Sequence, residues 1–292
     1  MQTLKHVGMD TAQLTDEERR YIDTRVVETV RPLLVGRRLY PVFRLPHAGF
    51  TSVRGYRETD MSQATISMHG LSQAKDRVEL EAFDITVPVI HKEFTLYWRD
   101  VIASRNGGLP IETRTAENAA RQVAEEEDRL LLTGEHSGWP ALGIEGLATA
   151  TGRNTQASAG AWPANALTDI SAAIGKLESS GFQGPYAMIA RTSILRKLWT
   201  LISGTGIFYM EKASEMLKAG VYASDNLYTS AGGTNNVLIV DPSDGNFELV
   251  VGQDITTYTQ QNEDMNLQGK VYEVVAPRIK RPAAICEVTG VS

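Results

Sequence analysis

Residues 123–134 read Val123-Ala124-Glu125-Glu126-Glu127-Asp128-Arg129-Leu130-Leu131-Leu132-Thr133-Gly134. Upstream, Ala116, Ala119 and Ala120 continue the apolar spacing that Val123, Ala124, Leu130 and Leu131 carry. That is one face of a 3.6-residue period, and it predicts a helix over 113–133, the strongest in the chain. Thr113 or Thr115 can cap its start, and Gly134 ends it. The carboxylates Glu125–Asp128 lie within it. They could form a metal site, but the expectation is a solvated or ion-paired helix face. A glycine-rich turn with Gly138, Gly143 and Gly146 follows.

Toward the N-terminus the pattern changes. Residues 47–98 alternate apolar and polar side chains, first at Ile66 and Met68, then at Val78, Leu80 and Ala82. Phe83, Ile85, Val87 and Val89 continue on the opposite parity, which predicts a β-bulge. A second slip precedes Phe94, Leu96 and Trp98. This is a long two-stranded excursion with few large apolar residues at its tip, and such a hairpin is poorly stable alone. Further upstream, Thr15 and Glu18 have capping-box spacing, with Asp16 and Glu17 suiting the positive end of a helix. Tyr21, Ile22, Val26, Val30, Leu33 and Leu34 form one stripe, opposite Arg19, Asp23, Thr24 and Glu28. Pro32 kinks or ends this helix and Gly36 closes it. The first ten or so residues read as an arm.

Toward the C-terminus, residues 150–163 are rich in Ala, Gly, Ser and Thr and read as a surface loop. A helix is predicted near 164–180 and a short strand at 186–190. Helices near 192–203 and 211–219 follow, then strands at 237–241 and 247–251. The tail from 254 to 288 reads as strand, broken at Gly269, Pro277 and Pro282.

Composition narrows the function. The 292 residues are 42% hydrophobic and 22% charged, ordinary for a soluble globular chain. No apolar run approaches the roughly 18 residues of a membrane span, and no secretory signal is visible at the start. Cys286 is the single cysteine, so a reducing cytoplasmic setting is expected. A net charge of −6 argues against a general nucleic-acid binder. His6, His47, His69, His91 and His136 are not paired at metal-ligand spacing. There is no Glu-x-x-His, nucleophile elbow or P-loop. Gly204-Thr205-Gly206 opens like a dinucleotide fingerprint, but Tyr209 stands at the third glycine. Cys286 reads as a buried inert thiol, and Trp98 beside Tyr97 as a packing residue in preference to a platform for a flat ligand. No catalytic residues and no metal are expected.

Five stretches in order give the chain a resemblance. They are Leu14-Thr15-Asp16-Glu17 through Ile22-Asp23-Thr24-Arg25 to Gly36-Arg37-Arg38; Val87-Pro88-Val89-Ile90 with Phe94-Thr95-Leu96; Val123 to Gly134 with Gly143-Ile144-Glu145-Gly146-Leu147; Gly181-Phe182-Gln183-Gly184-Pro185-Tyr186; and Gly252-Gln253-Asp254-Ile255. Together they resemble the encapsulins, nanocompartment shell proteins of the linocin/bacteriocin-type family. The resemblance implies an α+β, tailed-phage major-capsid (Hong Kong phage-like) fold. Residues 1–46 would be an N-terminal arm and helix, and 47–90 an extended hairpin loop. Residues 91–139 with 252–292 would form a peripheral domain, and 140–251 an axial domain. Departures are a longer arm, a longer stretch at 40–60 and the loop at 150–163.

The resemblance further implies a cytoplasmic, closed icosahedral shell of many copies. Its cargo would be a ferritin-like protein or dye-decolorizing peroxidase, held on the inner wall by a C-terminal targeting peptide. Docking would fall to Ile22, Val26 and Val30 with Arg25, although packing inside the chain is an equal reading of that stripe. Ile66, Met68, Val78 and Leu80 would carry the inter-subunit hairpin. Ser203, Gly204, Thr205, Gly206, Ile207, Phe208 and Tyr209 match the five-fold pore loop, and being uncharged would select mainly by size. No cofactor is expected, because Trp98 falls one place off the tryptophan that some members use near a flavin. The main rival is the major capsid protein of a tailed virus or provirus packaging DNA. Such chains often begin with a long scaffolding segment, for which a first helix near residue 15 leaves no room. A protease or secreted bacteriocin, labels the family has carried, is opposed by the missing nucleophile and signal peptide.

Overall fold

The computed structural model describes residues 14–30, 32, 34–58, 61, 64, 66–69, 77, 79–107, 113–135, 141–227 and 236–292. The expectations placed on the N-terminal arm, Leu33, Gly70, Val78, His136 and Gly138 lie outside these residues. In chain order the elements begin with α1 (Asp16–Val30), β1 (Val42–Arg44), β2 (Ser52–Glu58), β3 (Leu80–Thr86), β4 (Val89–Leu96), α2 (Trp98–Gly107) and α3 (Arg114–Thr133). They continue with β5 (Asn154–Ala157), α4 (Ala166–Ser179), β6 (Ala187–Ala190), α5 (Thr192–Leu198) and α6 (Tyr209–Met216). The last are β7 (Gly220–Ala223), β8 (Val237–Val240), β9 (Phe247–Gln261), β10 (Leu267–Ile279) and β11 (Ile285–Thr289).

The long helix α3 lies on a four-stranded sheet of order β1-β9-β10-β4. Its periodic face, from Ala116 to Leu132, is buried together with Ile90, Phe94, Leu96, Val271 and Val275 of the sheet. Thr113 stands at the N-cap, but its hydroxyl donates to the Glu117 carboxylate (2.6 Å) and accepts no backbone N–H of the first turn. A separate five-stranded sheet, β5-β11-β8-β6-β7, carries α4 and its own core around Ile170, Leu177, Met188 and Ile239. β2 and β3 form a two-stranded ribbon apart from both.

Three expectations change. The C-terminal boundary moves, because β11 pairs with β8 and β5; residues 285–289 belong to the sheet of the 140–251 region and not to the peripheral one. Ile285, Cys286 and Val288 are buried there, which is why the strand returns. Residues 154–157, read as surface loop, are the edge strand parallel to β11. No bulge lies at the parity change near residue 83: β2 and β3 pair in unbroken register from Ser52↔Thr86 to Glu58↔Leu80. Phe83 and Ile85 sit half-buried with Val53 on the face toward the body, while Leu80 and Tyr56 lie on the other face, 61% and 53% exposed. The two apolar parities are the two faces of a regular ribbon. The register breaks lie instead between β9 and β10, around Val274.

The acidic run of α3 is only partly solvated. Glu125 pairs with Arg121 (2.8 Å) and Glu126 with Arg129 (3.0 Å), as surface helix pairs do. Glu127 and Asp128 are buried. Asp128 accepts from the Gly36 N–H (2.6 Å) and the Ser224 hydroxyl (2.6 Å). Any side chain at Gly36 would meet Leu131 at 2.7 Å, so this glycine marks a close approach to α3 and not the end of a helix. The guanidinium of Arg37 donates to Glu127 (2.6 Å), Asp254 (2.9 Å) and Glu273 (3.0 Å). Glu127 and Glu273 are both 0% exposed, and the second oxygen of each finds no hydrogen-bond partner among the described residues. Burial, and then the facing Glu127 carboxylate, push Glu273 well above the usual glutamate range. Two buried carboxylates this close disfavour carrying two charges at once, and Arg37 offsets the charge they do carry.

Removing one partner of such a cluster leaves buried charge uncompensated, so Arg37→Ala should cost about 3–5 kcal/mol. The folded chain keeps the Glu273 proton to higher pH than the unfolded chain does. Its contribution is full below the ordinary glutamate pKa and falls as pH rises toward the raised value. Glu273→Gln should remove that loss. Denaturant midpoints taken at rising pH should show the variant gaining steadily on the native chain, and parallel profiles would contradict the upward shift of Glu273.

Candidate docking and assembly surfaces

Helix α1 starts where the capping box places it: the Thr15 N–H donates to Glu18 (2.8 Å) and the Glu18 N–H to the Thr15 hydroxyl (3.2 Å). Its stripe is consumed by packing. Ile22, Val26 and Val30 are each 1% exposed and share one core with Val123 and Ala120 of α3. Arg25 points away, paired with Glu28 (3.2 Å) and lying over the Tyr21 ring.

What remains open is a groove near each end of the helix, both between α1 and β9. The larger, about 460 Å³, is lined by Val27, Val30, Leu34, Arg37, Arg38, Asp254 and Ile255. The smaller, about 110 Å³, has Leu14, Arg19, Ile22 and Asp23 facing Thr257, Tyr258 and Thr259. Of the expected docking residues, Val30 lines the first and Ile22 the second, while Val26 and Arg25 line neither. Val26 faces the chain's own core; Val27 and Ile255, which line the larger groove, were not among the expected docking residues. Val27 is an apolar residue standing off the stripe, which was the available signal. Asp254, though burial acts to raise it, is held below the usual carboxylate range by hydrogen bonds from Arg44 and Arg37. The larger groove thus offers an apolar floor with a charged, fixed rim.

The loop 203–209 joins α5 to α6. The Ile202 N–H donates to the Ile207 carbonyl (2.8 Å) and the Tyr209 N–H to that of Thr200 (3.1 Å), which pins its base. Gly204 and Gly206, at φ +79° and +69°, turn it back, and Ser203 to Gly206 are exposed. Phe208 meets Trp199 edge-on (6.0 Å), and Tyr209 begins α6. Ile66 and Met68 are fully exposed. Trp98 begins α2; Asn266 accepts its backbone N–H (3.2 Å) and the Arg99 guanidinium lies over its ring (5.6 Å). Burial pushes the Cys286 thiol up to about 11. Among the described residues no group of three His, Cys, Asp or Glu could hold a metal, and no helix is long and apolar enough to cross a membrane.

Solved structures place this architecture. A virus-like particle from Pyrococcus furiosus superposes with a TM-score of 0.69 at 20% identity, covering 93% of this chain and 99% of that one. The capsid of Myoviridae phage XM1 gives 0.68 at 12%, covering 89% and 92%. At those identities the likeness shows the fold: this is an α+β subunit of the tailed-phage major-capsid class. The sequence relationship is narrower. The family described as "encapsulating protein for peroxidase" (Linocin_M18) matches residues 4–276. The type 1 encapsulin shell protein EncA of Myxococcus xanthus is 31% identical over 280 residues, 95% of this chain and 94% of that protein. A diheme-cytochrome–encapsulin shell fusion protein of Kuenenia stuttgartiensis is 28% identical over 276 residues, 94% of this chain and 73% of that protein. The chain belongs to the encapsulin shell-protein family, a family of structural subunits.

Packing and surface roles on α1 separate by mutation. Val26→Asp buries an unpaired carboxylate and should cost about 3 kcal/mol or more. Arg25→Ala should leave the midpoint close to that of the native chain, because its ion pair is exposed. Denaturation midpoints of the two variants check this.

Proposed function

We propose that copies of this chain close into an icosahedral shell in the cytoplasm and hold a cargo enzyme on its inner wall. A C-terminal peptide of that cargo would lie in the larger groove beside α1. The observation that carries the assembly half is the β2–β3 ribbon. Its outer face presents Tyr56 and Leu80 to solvent, although a two-stranded ribbon is marginal without partners on its faces. A second copy of the chain is the cover the fold offers. Many copies repeat each contact, so modest heterologous interfaces can close a shell.

The groove supports the cargo half. Val27, Leu34 and Ile255 supply an apolar floor, and the Arg37–Asp254 ion pair fixes its rim. A short peptide with apolar side chains at suitable spacing would bury them there. The family description favours a peroxidase as cargo. The name of the Kuenenia relative supports a second class, since it joins a diheme cytochrome to a shell domain in one protein. A ferritin-like protein stands beside these, since a Pyrococcus furiosus relative is named as a ferritin-like–encapsulin shell fusion. The uncharged loop 203–209 would line a pore selecting by size. We assign no catalytic role to the shell. No flavin role is assigned to Trp98 either, because Arg99 takes one face of its ring.

The likeness to the phage XM1 capsid favours one rival, a viral subunit that packages DNA. Electron micrographs of the purified chain should show hollow particles free of nuclease-protected DNA. DNA-filled heads would support the rival, and a stable monomer at high concentration would remove both readings. Given particles, the double variant Val27→Asp, Ile255→Asp should still assemble. Its retention of a fluorescent reporter carrying the cargo's C-terminal tail should fall about tenfold or more, the effect of losing about 1.4 kcal/mol of binding or greater in total. Unchanged loading would take the peptide out of this groove.

A further inference from the structure

At the root of the ribbon, where β9 begins and β10 ends, a cavity of about 390 Å³ has five cationic side chains on its wall. They are Arg54 and Arg57 from β2, Arg278 from β10, and Lys280 and Arg281 just beyond it; among the described residues Asp244 is the one acid lining it. Three of the cations are already matched. Arg54 pairs with Asp84 across the ribbon (3.0 Å), and Arg278 and Lys280 both pair with Glu248. The other two are not matched among the described residues. Arg57 lies over the Phe83 ring (4.6 Å), and its buried Nε–H has no acceptor. Arg281 is exposed, with no carboxylate in ion-pair range. Set against Asp84, Glu248, Asp244 and Glu81, which stands opposite Arg57 across the ribbon, the five cations leave a surplus of one positive charge (5 − 4) in a chain whose total is −6.

A buried guanidinium N–H without an acceptor is unusual, because the desolvation it suffers is normally repaid by a partner. The cavity also adjoins the exposed apolar face of the ribbon, so whatever fills the one is placed to cover the other. A free anion would satisfy the charge and leave Tyr56 and Leu80 bare. A second protein chain does both, and an acidic chain is the complementary one.

We infer that this cavity receives carboxylate side chains of a second copy of this chain, forming an electrostatic seat at the ribbon root. The inference rests on the shell reading above and adds a specific contact to it. A bidentate carboxylate suits the planar fork of Arg57 or Arg281. Such a contact is heterologous, since the cavity of one copy meets a different, acidic surface of the next, as ring closure requires.

The test uses the full chain. Arg57→Glu with Arg281→Glu should leave the circular dichroism of the subunit unchanged while lowering particle yield by about tenfold or more at physiological salt. A second measurement does not depend on that variant folding. Shells of Arg281→Lys, mixed from isotopically light and heavy subunits, are treated with a zero-length carbodiimide. An amide between the introduced amine and a carboxylate of the other isotope supports the seat and identifies the acid. Particles from the charge-reversed chain at native yield, or amides only within one copy, would overturn it. So would millimolar inorganic phosphate that shields position 281 from coupling without changing assembly, since the site would then be one for free anions. If the native chain forms no particles, the shell reading itself fails; if native and reversed chains assemble alike, only this contact does.

Discussion

One guanidinium ties together segments that the chain places far apart. Arg37 sits just after α1 and reaches carboxylates 90, 217 and 236 residues away, on α3, β9 and β10. Two of those carboxylates are wholly buried. Charged groups survive in such surroundings only when paired and hydrogen-bonded. The cluster therefore admits one arrangement of the helix exit over the spine and the long strands. Shifting α1 along β9 would strand Glu127 and Glu273. The same contact positions Asp254, whose other oxygen is taken by Arg44 of β1. A polar cluster of this kind is weak evidence of net stability, yet it specifies geometry in a way that an alanine-rich helix face cannot.

The surfaces that matter for assembly follow from that geometry. With α1 fixed across β9, a groove opens near each end of it, and the larger one is edged by the charged groups that do the fixing. Arg37 and Asp254 are at once anchors and groove walls. The ribbon is arranged differently. Its root is held by Val53 and Ile85 packing against Val87, Val250, Val274 and Ala276 of the body, while Tyr56 and Leu80 on its outer face are left exposed by the described residues. Firm attachment at the root and bare apolar surface beyond it make a rigid arm in search of a second molecule.

The sequence showed the local periodicities and hid the long-range closures. The α3 face was legible because 3.6-residue spacing persists over five turns. The capping box at Thr15 and Glu18 was legible for the same local reason. Burial of Glu127 and Asp128 was not, since four consecutive acids look solvated until Arg37 and Gly36 arrive from elsewhere. The parity change at Phe83 was read as a bulge because one apolar face per strand is the usual rule; a ribbon with an uncovered second face breaks it. Strand β5 escaped notice because Asn154-Thr155-Gln156-Ala157 is polar and pairs at a sheet edge with the far end of the chain. The docking surface was only half legible. A regular stripe such as Ile22–Val26–Val30 is what the chain's own core consumes, and the groove beside it is finished by Ile255, which no local pattern joins to α1.

Fold and function part company in this molecule in an instructive way. A virus-like particle and a phage capsid match it equally well in shape, at 0.69 and 0.68. Shape alone reports the shared demand of building a closed wall from copies of one chain. That demand is met by the spine helix, the long β9–β10 hairpin and the projecting ribbon, none of which depends on what the wall encloses. Contents are decided on smaller surfaces: a helix across β9 with a peptide-sized groove, a loop without charge, and the sign of the residues facing inward. A genome would ask those surfaces for positive charge to meet phosphate. The larger groove beside α1 instead sets Asp254 and apolar side chains against its arginines, and Arg37 is already matched by carboxylates.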